Sequence, residues 1–371
     1  MSQICNNCVM DTTDTKIRFD VNGICDHCNT FYEKTLPSWK KMKSNKDKFI
    51  NNFKNKSVGE FDCIIGMSGG VDSSYLVYKV KEEMGLNPLV FHVDGGWNSD
   101  LAVNNIEKIV DGLKLELFTD VINWDEMRRL QLAYFKSGVS TIDTPQDHAF
   151  FATMYKFANK YNIKYIFTGA NIATEGIRNP VDWMYYQTDS TQLKDIFNKH
   201  GVGRLDTFPL TSIIWHKIYL PIIKRIKVIK PLNYFEYNKK DAMAILSSKF
   251  GWKPYPQKHF ESRFTKFYES YWLFERFGYD VRKVQLSSLI LTKQMTRDQA
   301  ILELNEKPYD PNEIYKDKEF IANKLEITLD QLDGYFRLPK KYYYEYRSQK
   351  NIYKYGSLFS KILNSEIGQK R

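Results

Sequence analysis

The sequence contains no long apolar run, no secretory signal and few cysteines, and each of these shortages excludes a class of protein. A membrane-spanning helix needs roughly 20 consecutive apolar residues, and the most apolar segment, residues 213–229, is interrupted by basic side chains. We expect that segment to form a buried helix and strand, with a membrane-facing or partner-facing surface as the alternative. Residues 1–10 lack the basic start and apolar core of a signal peptide. A cytoplasmic protein without a transmembrane segment is therefore expected.

Acidic residues are also in deficit, since 54 lysines and arginines stand against 44 aspartates and glutamates and give a formal charge of +10. This balance suits polyanionic ligands such as nucleotides, sugar nucleotides, nucleic acid or an anionic membrane, although dispersed, solvated lysines would also produce it. No basic block resembles a nucleic-acid-binding arm, so no nucleic acid partner is expected. The 371 residues, 43% of them hydrophobic, are enough for two or three packed units.

Four of the five cysteines form two C-x2-C pairs near the start of the chain, at Cys5, Cys8, Cys25 and Cys28. Their spacing is typical of a structural four-thiolate Zn²⁺ site, in which a tight turn aims both sulfurs of a pair at one tetrahedral ion. Two disulfides of a small secreted module are the alternative, which the missing signal peptide disfavours. Cys63 lies in an apolar run and is expected to be a core residue of a strand. A catalytic thiol would need a neighbouring base, and the sequence shows none.

A glycine-rich turn follows that apolar run. Residues 61–67 have the pattern of a strand and residues 75–80 have helical periodicity, so the turn joins a strand to a helix. Such a turn points backbone N–H groups and a helix N-terminus at an anion, and its hydroxyl groups add donors. The residues expected to bind the anion are Ser68, Gly69, Gly70, Asp72, Ser73 and Ser74.

The sequence Ser68-Gly69-Gly70-Val71-Asp72-Ser73 lacks the Gly-Lys of a Walker loop and resembles the pyrophosphate-binding loop of the PP-loop ATP pyrophosphatases, which include GMP synthetase and NAD synthetase. The resemblance implies an α/β fold, a doubly wound parallel sheet with ATP at the carboxyl ends of its strands. It further implies ATP and Mg²⁺, with the loop holding the β- and γ-phosphates and Asp72 a candidate magnesium ligand. A chance glycine turn is the alternative.

The chain after this loop alternates predicted strands and helices, as a parallel α/β sheet requires. Further strands are predicted at 89–94, 115–118, 165–171 and 228–232, with a helix at 147–159. The second strand ends in Gly95-Gly96, where the resemblance implies adenosine contacts, and the cofactor-binding residues expected there are His92, Val93 and Asp94. The resemblance places Gly169, Asn171 and Glu175, which follow the fourth strand, near the reacting phosphates. Asp72, Asp94 and Glu175 are alternatively helix caps or surface acids.

A departing pyrophosphate needs neutralising cations, and the glycine-rich loop supplies none. The densest cationic segment is 258–268, and its predicted phosphate contacts are Lys258, His259 and Arg263. A solvated helix surface is the alternative reading of this segment.

The motifs taken together, in their order along the chain, support a narrower resemblance. After the cysteine pairs, the loop and the strand ends come Lys258-His259-x-Glu261-Ser262 and Asp280-x-Arg282-Lys283. This series resembles the N-acetyl sugar amidotransferases of bacterial lipopolysaccharide and pseudaminic acid (flagellin glycan) biosynthesis. Gln285 stands where that family has histidine, so no role is assigned to it.

The resemblance covers nearly the whole chain and implies that an N-acetyl sugar or sugar nucleotide exchanges its acetamido oxygen for nitrogen. The amide oxygen would be adenylated, pyrophosphate released and AMP displaced by ammonia, with Asp72, Lys258 and Arg263 as the catalytic residues. Because Cys63 is the only cysteine outside the two pairs, ammonia is expected from a separate glutaminase subunit or from solution.

Two other functions stay open at this stage. One is a tRNA-modifying enzyme of thiolase or lysidine-synthetase type that adenylates a nucleobase, and the other is a zinc-containing nucleotide sensor without turnover. The predicted organisation is a zinc element at 1–40, a linker helix at 41–57, the PP-loop domain at 58–255 and a helical region at 256–371 that completes the active site. Helical patterns occur at 296–304 and 321–332, and the tail 340–371 is expected to form a partner or membrane surface or a solvated helix.

Overall fold

The computed structural model describes residues 3–352 except 55–59 and 184–185. At its centre is a five-stranded sheet of β1 (Cys63–Gly66), β2 (Pro88–Asp94), β3 (Leu117–Val121), β4 (Tyr165–Phe167) and β5 (Lys227–Ile229). The strands pair in parallel in the order β3-β2-β1-β4-β5. The chain first builds one side of β1 and then crosses to the other, so the sheet is doubly wound with its switch point between β1 and β4. The predicted fold class is confirmed.

Helices of the described residues surround this sheet and continue beyond it. The first group is α1 (Asp26–Thr30), α2 (Leu36–Ser44), α3 (Lys46–Lys54), α4 (Val71–Glu82), α5 (Asp100–Leu113), α6 (Trp124–Ser137), α7 (Thr144–Lys160), α8 (Ile172–Glu175), α9 (Ser190–His200) and α10 (Lys239–Phe250). The second group is α11 (Arg263–Phe267), α12 (Arg282–Leu291), α13 (Arg297–Asn305), α14 (Ile314–Leu325) and α15 (Leu329–Arg337). Wider i→i+5 helices span Phe31–Thr35, Trp215–Ile223 and Tyr268–Phe277, and 3₁₀ turns span Val181–Trp183, Pro231–Tyr234 and Tyr343–Glu345.

Two hydrophobic cores lie on the two faces of the sheet. Cys63 and Ile65 point into the core formed with α4, α5 and α10, whereas Ile64 between them points into the core formed with α6, α7 and α9. Successive side chains of a strand alternate between its faces, and all three residues are fully buried. A strand buried on both faces explains why β1 is an uninterrupted apolar run.

The structure moves some predicted boundaries for local reasons. β3 begins at Leu117 rather than at 115, because Lys114 adopts a left-handed conformation and the N–H of Leu115 still bonds to the carbonyl of Val110 at the end of α5. The single helical pattern predicted at 321–332 forms α14 and α15, separated by Glu326 in the left-handed region. Of the predicted tail 340–371, residues 353–371 lie outside the described part of the chain.

The expectation that residues 213–229 are buried is wrong for one face of this segment. Ile214, Ile218, Ile222 and Ile223 are each half or more exposed, whereas Ile213 and Leu220 are buried. An alternating environment of this kind is that of an amphipathic surface helix. Within the described residues, no helix is both long and apolar enough to cross a membrane.

The loop between β1 and α4 depends on a glycine with a positive φ angle. Gly69 has φ +84°, and a Cβ at this position would lie 2.7 Å from the carbonyl oxygen of Ala102. Its own carbonyl accepts a hydrogen bond from Trp252 Nε1 at 2.9 Å. The backbone at Gly69 is therefore enclosed between α5 and the segment after α10.

We expect Gly69→Ala to lower the free energy of unfolding by at least about 1 kcal/mol more than Gly85→Ala, since the new Cβ would overlap backbone atoms. Gly85 is a matched control, because its φ is +67° and nothing lies within 4 Å of its added Cβ. Gly85→Ala should cost only about 1–2 kcal/mol for the left-handed conformation. Urea unfolding of both variants measures the difference, and equal losses would contradict the enclosed position of Gly69.

Candidate active site

A cavity of about 190 Å³ opens at the carboxyl ends of β1 and β4. Its walls are the glycine-rich loop after β1, the turn at 168–170 after β4, and the segment 255–261 from the C-terminal half of the chain. The carboxyl ends beside a switch point are where open α/β sheets bind ligands. Loops at the carboxyl ends of the strands and a segment from the C-terminal half of the chain thus form the cavity together.

The loop presents the N-terminus of α4 to this cavity. α4 begins at Val71 after Gly70, and no side chain caps its first N–H groups. Ser73 Oγ accepts from the N–H of Ser68 at 3.3 Å and donates to the carbonyl of Gly70 at 3.2 Å, which fixes the loop's shape. Uncapped N–H groups at the start of a helix bind anions through hydrogen bonds and the helix dipole. The arrangement can therefore hold phosphate oxygens.

A buried lysine lies across the cavity from this helix. Lys258 Nζ is 2.8 Å from Glu175 Oε1 and 3.2 Å from Asp72 Oδ2, and the lysine side chain is only 11% exposed. Although burial disfavours the ammonium, the carboxylates of Glu175 and Asp72 raise the pKa of Lys258 above its ordinary value. Lys258 therefore carries a positive charge beside the glycine-rich loop at neutral pH.

Asp72 is held in place by several donors. Its Oδ1 accepts from Asn171 Nδ2 at 3.2 Å and from the hydroxyl of Tyr237. Asn171 Oδ1 in turn accepts from the N–H of Thr174 at 2.9 Å and so caps α8. One side chain therefore fixes both the acid on α4 and the short helix that carries Glu175.

Glu261 lies directly against the glycine-rich loop. A methyl group added at Gly70 would collide with Glu261 Oε1, so the carboxylate occupies the space above the N-terminus of α4. Burial raises the pKa of Glu261. The position in which the loop would bind an external anion is thus partly occupied by an internal one.

The segment that carries Lys258 and Glu261 is fixed to the strand ends by backbone contacts. The N–H of Ser99 donates to the carbonyl of Glu261 at 2.9 Å, and Asn98 and Ser262 form an isolated antiparallel bridge. Asn98 Nδ2 also donates to His92 Nε2 at 2.9 Å, and His92 Nδ1 donates to the carbonyl of Met67 at 2.8 Å. His92 thus links the end of β1 to the loop that supports Glu261.

Most of the predicted site residues meet at this cavity, although they contribute in different ways. Those that line it are Ser68, Gly70, Asp72, Ser73, Gly169, Glu175, Lys258 and His259. The other predicted residues of the loop and the strand ends do not line it, and these are Gly69, Ser74, His92, Val93, Asp94 and Asn171. Gly69 and Asn171 bond to residues that do, Trp252 and Asp72. The structure thus places His92, Val93 and Asp94, the predicted adenosine contacts, outside the lining of this cavity. Gly169 needs its missing side chain, because a Cβ would lie 2.9 Å from the backbone of Asp72 and Ser73.

Arg263 is placed differently from the other predicted cations. Its guanidinium lies 3.5 Å from the ring centroid of Phe320 and 3.6 Å from Asp317, on α14. Arg263 is not among the residues that line the cavity, so the structure does not bring it to the predicted phosphate contacts. His259 does line the cavity, and its Nδ1 lies 2.9 Å from Glu269 Oε1.

Sequence reasoning missed several residues of this site. Lys239 lines the cavity, Tyr237 donates to Asp72, and Trp252 and Tyr255 donate to the carbonyl of Gly69. Glu261 belongs to a motif that the sequence analysis identified, but the sequence did not predict its contact with Gly70. Nothing in the sequence around Tyr237 or Trp252 signals a contact with a loop that lies far away in the chain.

The four N-terminal cysteines form a second site. Their sulfur atoms all lie within 4.8 Å of one another, with distances of 3.9 Å for Cys5–Cys28, 3.7 Å for Cys8–Cys25 and 3.6 Å for Cys25–Cys28. One tetrahedral ion with sulfur ligands at about 2.3 Å requires S–S separations of about 3.8 Å. The four free, buried thiols therefore fit a single metal ion.

The cysteine element is connected to the active site through α12 and α13. Arg297 donates to the carbonyls of Cys5 and Cys8, at 3.0 and 3.1 Å, respectively. At the end of α12, Thr292 and Gln294 both donate to the carbonyl of Ala173 at 2.9 Å. Ala173 belongs to α8, which carries Glu175. The metal site therefore supports the wall of the cavity from a distance.

Comparison with known proteins identifies the C-terminal part of the chain. Residues 261–360 match the family described as LPS biosynthesis protein WbpG-like, C-terminal domain. This match confirms the resemblance to lipopolysaccharide-biosynthesis proteins that the sequence motifs indicated. The matched segment begins at Glu261, the residue that contacts Gly70.

Curated relatives match part of the chain. An uncharacterized protein of Methanocaldococcus jannaschii is 32% identical over 123 residues, which are 33% of this chain and 43% of that protein. A tRNA-specific 2-thiouridylase of Fusobacterium nucleatum is 30% identical over 123 residues, which are 30% of this chain and 34% of that protein. The chain thus spans less than half the length of either relative.

Solved structures with similarity to this chain share little of its sequence. The U34-tRNA thiolase NcsA of Methanococcus maripaludis is 14% identical, with a TM-score of 0.33, and the match covers 88% of this chain and 89% of that one. The NH₃-dependent NAD synthetase of Campylobacter jejuni is 14% identical, with a TM-score of 0.28 and coverage of 59% and 99%. NMN synthetase of Francisella tularensis is 17% identical, with a TM-score of 0.29 and coverage of 60% and 92%.

Glu261→Gln should bind inorganic pyrophosphate about tenfold more tightly than the unchanged protein. The carboxylate beside the glycine-rich loop should repel an incoming anion by on the order of 1 kcal/mol. Titration calorimetry measures the change. Glu313→Gln is the matched control, since it removes one negative charge from an exposed side chain before α14. Weaker binding by Glu261→Gln would show that Glu261 assists the anion instead of competing with it.

Proposed function

We propose that this chain, whose C-terminal part is of the WbpG-like lipopolysaccharide-biosynthesis type, is an ATP-dependent N-acetyl sugar amidotransferase. The observation that supports this most directly is the contact between the two halves of the molecule. The segment that begins the WbpG-like region lies on the anion-binding loop through Glu261, and Lys258 immediately before it faces Asp72 and Glu175. The region similar to lipopolysaccharide-biosynthesis proteins thus contributes Glu261 to the wall of the cavity that we propose to bind ATP.

The proposed reaction activates a poor electrophile. The acetamido oxygen attacks the α-phosphate of ATP, the bond to the β-phosphate breaks, and pyrophosphate leaves. Ammonia then adds to the imidate carbon, AMP departs with the former amide oxygen, and an acetamidino group remains. Adenylation thus turns the amide oxygen, a poor leaving group, into part of AMP, a good leaving group that ammonia can displace.

The chain's own residues would act mainly on the departing pyrophosphate. The N–H groups at the start of α4 would bind the β- and γ-phosphates, and the Lys258 ammonium would neutralise the charge that develops on them. Mg²⁺ bound with ATP would neutralise the phosphate oxygens further, and Asp72 and Glu175 are two of the carboxylates in the cavity lining that could be its ligands. Arg263, which bonds to α14, is not part of this proposal.

Ammonia would come from outside the chain. Cys63, the only cysteine apart from the four clustered ones, is fully buried on β1, and burial raises the pKa of its thiol. A nucleophilic cysteine requires an accessible thiolate. We therefore propose a separate glutaminase subunit, or free ammonia, as the nitrogen source.

A tRNA-modifying enzyme is the second candidate, and the partial similarity to a tRNA-specific 2-thiouridylase favours it. It would use the same cavity to adenylate a nucleobase carbonyl. A sulfur-transferring enzyme of that class would need a reactive cysteine near the cavity, and the buried Cys63 does not offer one. Tight, steeply salt-dependent tRNA binding would nevertheless select this candidate.

The protein should be incubated with ATP, Mg²⁺, ammonium and a panel of N-acetyl sugars and their nucleotide-linked forms. We expect one product about one mass unit lighter than its substrate, because NH replaces oxygen after covalent activation. AMP should appear in equal amount. Mass spectrometry of the sugars and chromatography of the nucleotides measure both quantities.

Two lysine variants test whether this activity depends on the cavity. Lys258→Gln should lower the rate about 100-fold or more, by loss of charge stabilisation on the leaving group. Lys307→Gln, at an exposed lysine that pairs with Glu275, should leave the rate unchanged. Product formation with every acetamido sugar absent, but with tRNA and a sulfur donor, would instead establish the second candidate.

The four-cysteine site is proposed to hold Zn²⁺ in a structural role. All four positions of a tetrahedron are provided by the chain, which leaves no open position for catalysis. A four-iron cluster would place a cage of iron and sulfide between its thiolates, whereas these sulfur atoms are spaced for one ion. Their contact with α13 through Arg297 supports a role in stability.

The purified protein should contain about one Zn²⁺ per chain and should be colourless, because zinc has a filled d shell. Cys8→Ser should lose the ion and unfold at a lower temperature, since metal binding is coupled to folding. Cys63→Ala should keep it. Elemental analysis and thermal unfolding measure both effects, and iron with visible absorption would disprove the assignment to zinc.

A further inference from the structure

A row of isoleucines lies exposed on the helix before β5. Ile214, Ile218, Ile222 and Ile223 are 52%, 50%, 60% and 63% exposed, and together they form what we call the isoleucine face. Most of this helix has i→i+5 hydrogen bonds, so it has a little more than four residues per turn, roughly 4.4. Residues four and eight positions apart therefore lie along one line of its surface.

The helix cannot turn this face inward, because its opposite side is already packed. His216 and Leu220 are buried, and the ring of His216 lies 4.1 Å from that of Tyr155 on α7. Pro221 lies within the helix, and it has no N–H to donate. Four large apolar side chains thus stay in solvent close together on one helix, and exposed apolar patches of this kind are typical of binding surfaces.

The surroundings of the isoleucine face are basic. Residues 207–235 contain no aspartate or glutamate, and their charged residues are Lys217, Lys224, Arg225, Lys227 and Lys230. Lys164, at the start of β4, adds a cation, because its Nζ donates to the carbonyl of Lys224 at 3.1 Å. Val228 on the edge strand β5 is also 46% exposed and extends the apolar surface. An apolar ridge is therefore flanked by positive charge.

Aromatic residues flank the same ridge. Trp215 and Tyr219 are half-buried, and their rings stack with centroids 6.3 Å apart. Tryptophan and tyrosine combine an apolar ring with a polar group, and this suits them to the boundary between lipid head groups and acyl chains.

The apolar ridge and its basic flanks distinguish between two possible partners of the isoleucine face, a second copy of the chain and a lipid bilayer. A second copy of the chain bound through the same face would place one basic rim against another, because a two-fold contact is made by identical surfaces. A bilayer with anionic head groups would instead take the isoleucines at the acyl boundary and pair the lysines and arginines with phosphates. We propose that the isoleucine face binds the surface of an anionic membrane, independently of the reaction in the cavity.

The full chain should sediment with vesicles of phosphatidylcholine and phosphatidylglycerol, and much less with vesicles of phosphatidylcholine alone. Ile218→Glu should weaken this binding about tenfold or more, since it removes one buried apolar side chain and adds a repelled charge. Replacing Lys224, Arg225 and Lys227 by glutamine should weaken it by a similar factor, and raised salt should act in the same direction.

Leu302→Glu is the matched control, because Leu302 is 68% exposed on α13, outside the isoleucine face, and its replacement should leave vesicle binding unchanged. Circular dichroism checks that each variant is folded. The full chain is needed, since Gln349 contacts the N–H of Ile213 and the end of the described chain therefore lies beside this helix. Absence of vesicle binding by the full chain overturns the proposal. So does a dimer in solution that Ile218→Glu dissociates, which would assign the face to a second copy.

Discussion

The ammonium group of Lys258 is bound between carboxylates from two parts of the chain that are far apart in sequence. Asp72 comes from the first turn of α4 and Glu175 from the end of α8, whereas the lysine belongs to the segment before α11. A buried charge that loses its partner is strongly destabilising. The loop, the turn after β4 and the C-terminal half of the molecule therefore depend on one another, and the cavity exists only where all three meet.

The peripheral parts of the molecule stabilise the elements that form the cavity. The cysteine element does not touch the cavity, but Arg297 binds its backbone, and α12 and the residues after it bind α8. Lys283 also pairs with Asp11 of the cysteine element at 2.5 Å. The cysteine element, whose four buried thiols fit one metal ion, is a suitable anchor for a helix as short as α8, which has too few internal hydrogen bonds to be stable alone.

Glu261 adds a constraint of a different kind. Gly70 of the glycine-rich loop has no side chain, and the carboxylate of Glu261 occupies the space that a Cβ at this position would need. The backbone of Glu261 is bonded to Ser99 after β2. Glu261 therefore connects the loop after β1 with the loop after β2.

The sequence by itself determined the elements whose signals are local. An apolar run, a glycine turn and a helical period identify β1, the loop and α4, and two C-x2-C pairs identify the metal site, because backbone freedom and ligand spacing act over a few residues. Only the tertiary structure decided that Tyr237 and Trp252 secure the loop, that Arg263 bonds to Asp317, and that the face of Ile218 lies in solvent. These outcomes depend on which surfaces meet after the chain has crossed the sheet. That is settled by packing between distant segments, which no local pattern encodes.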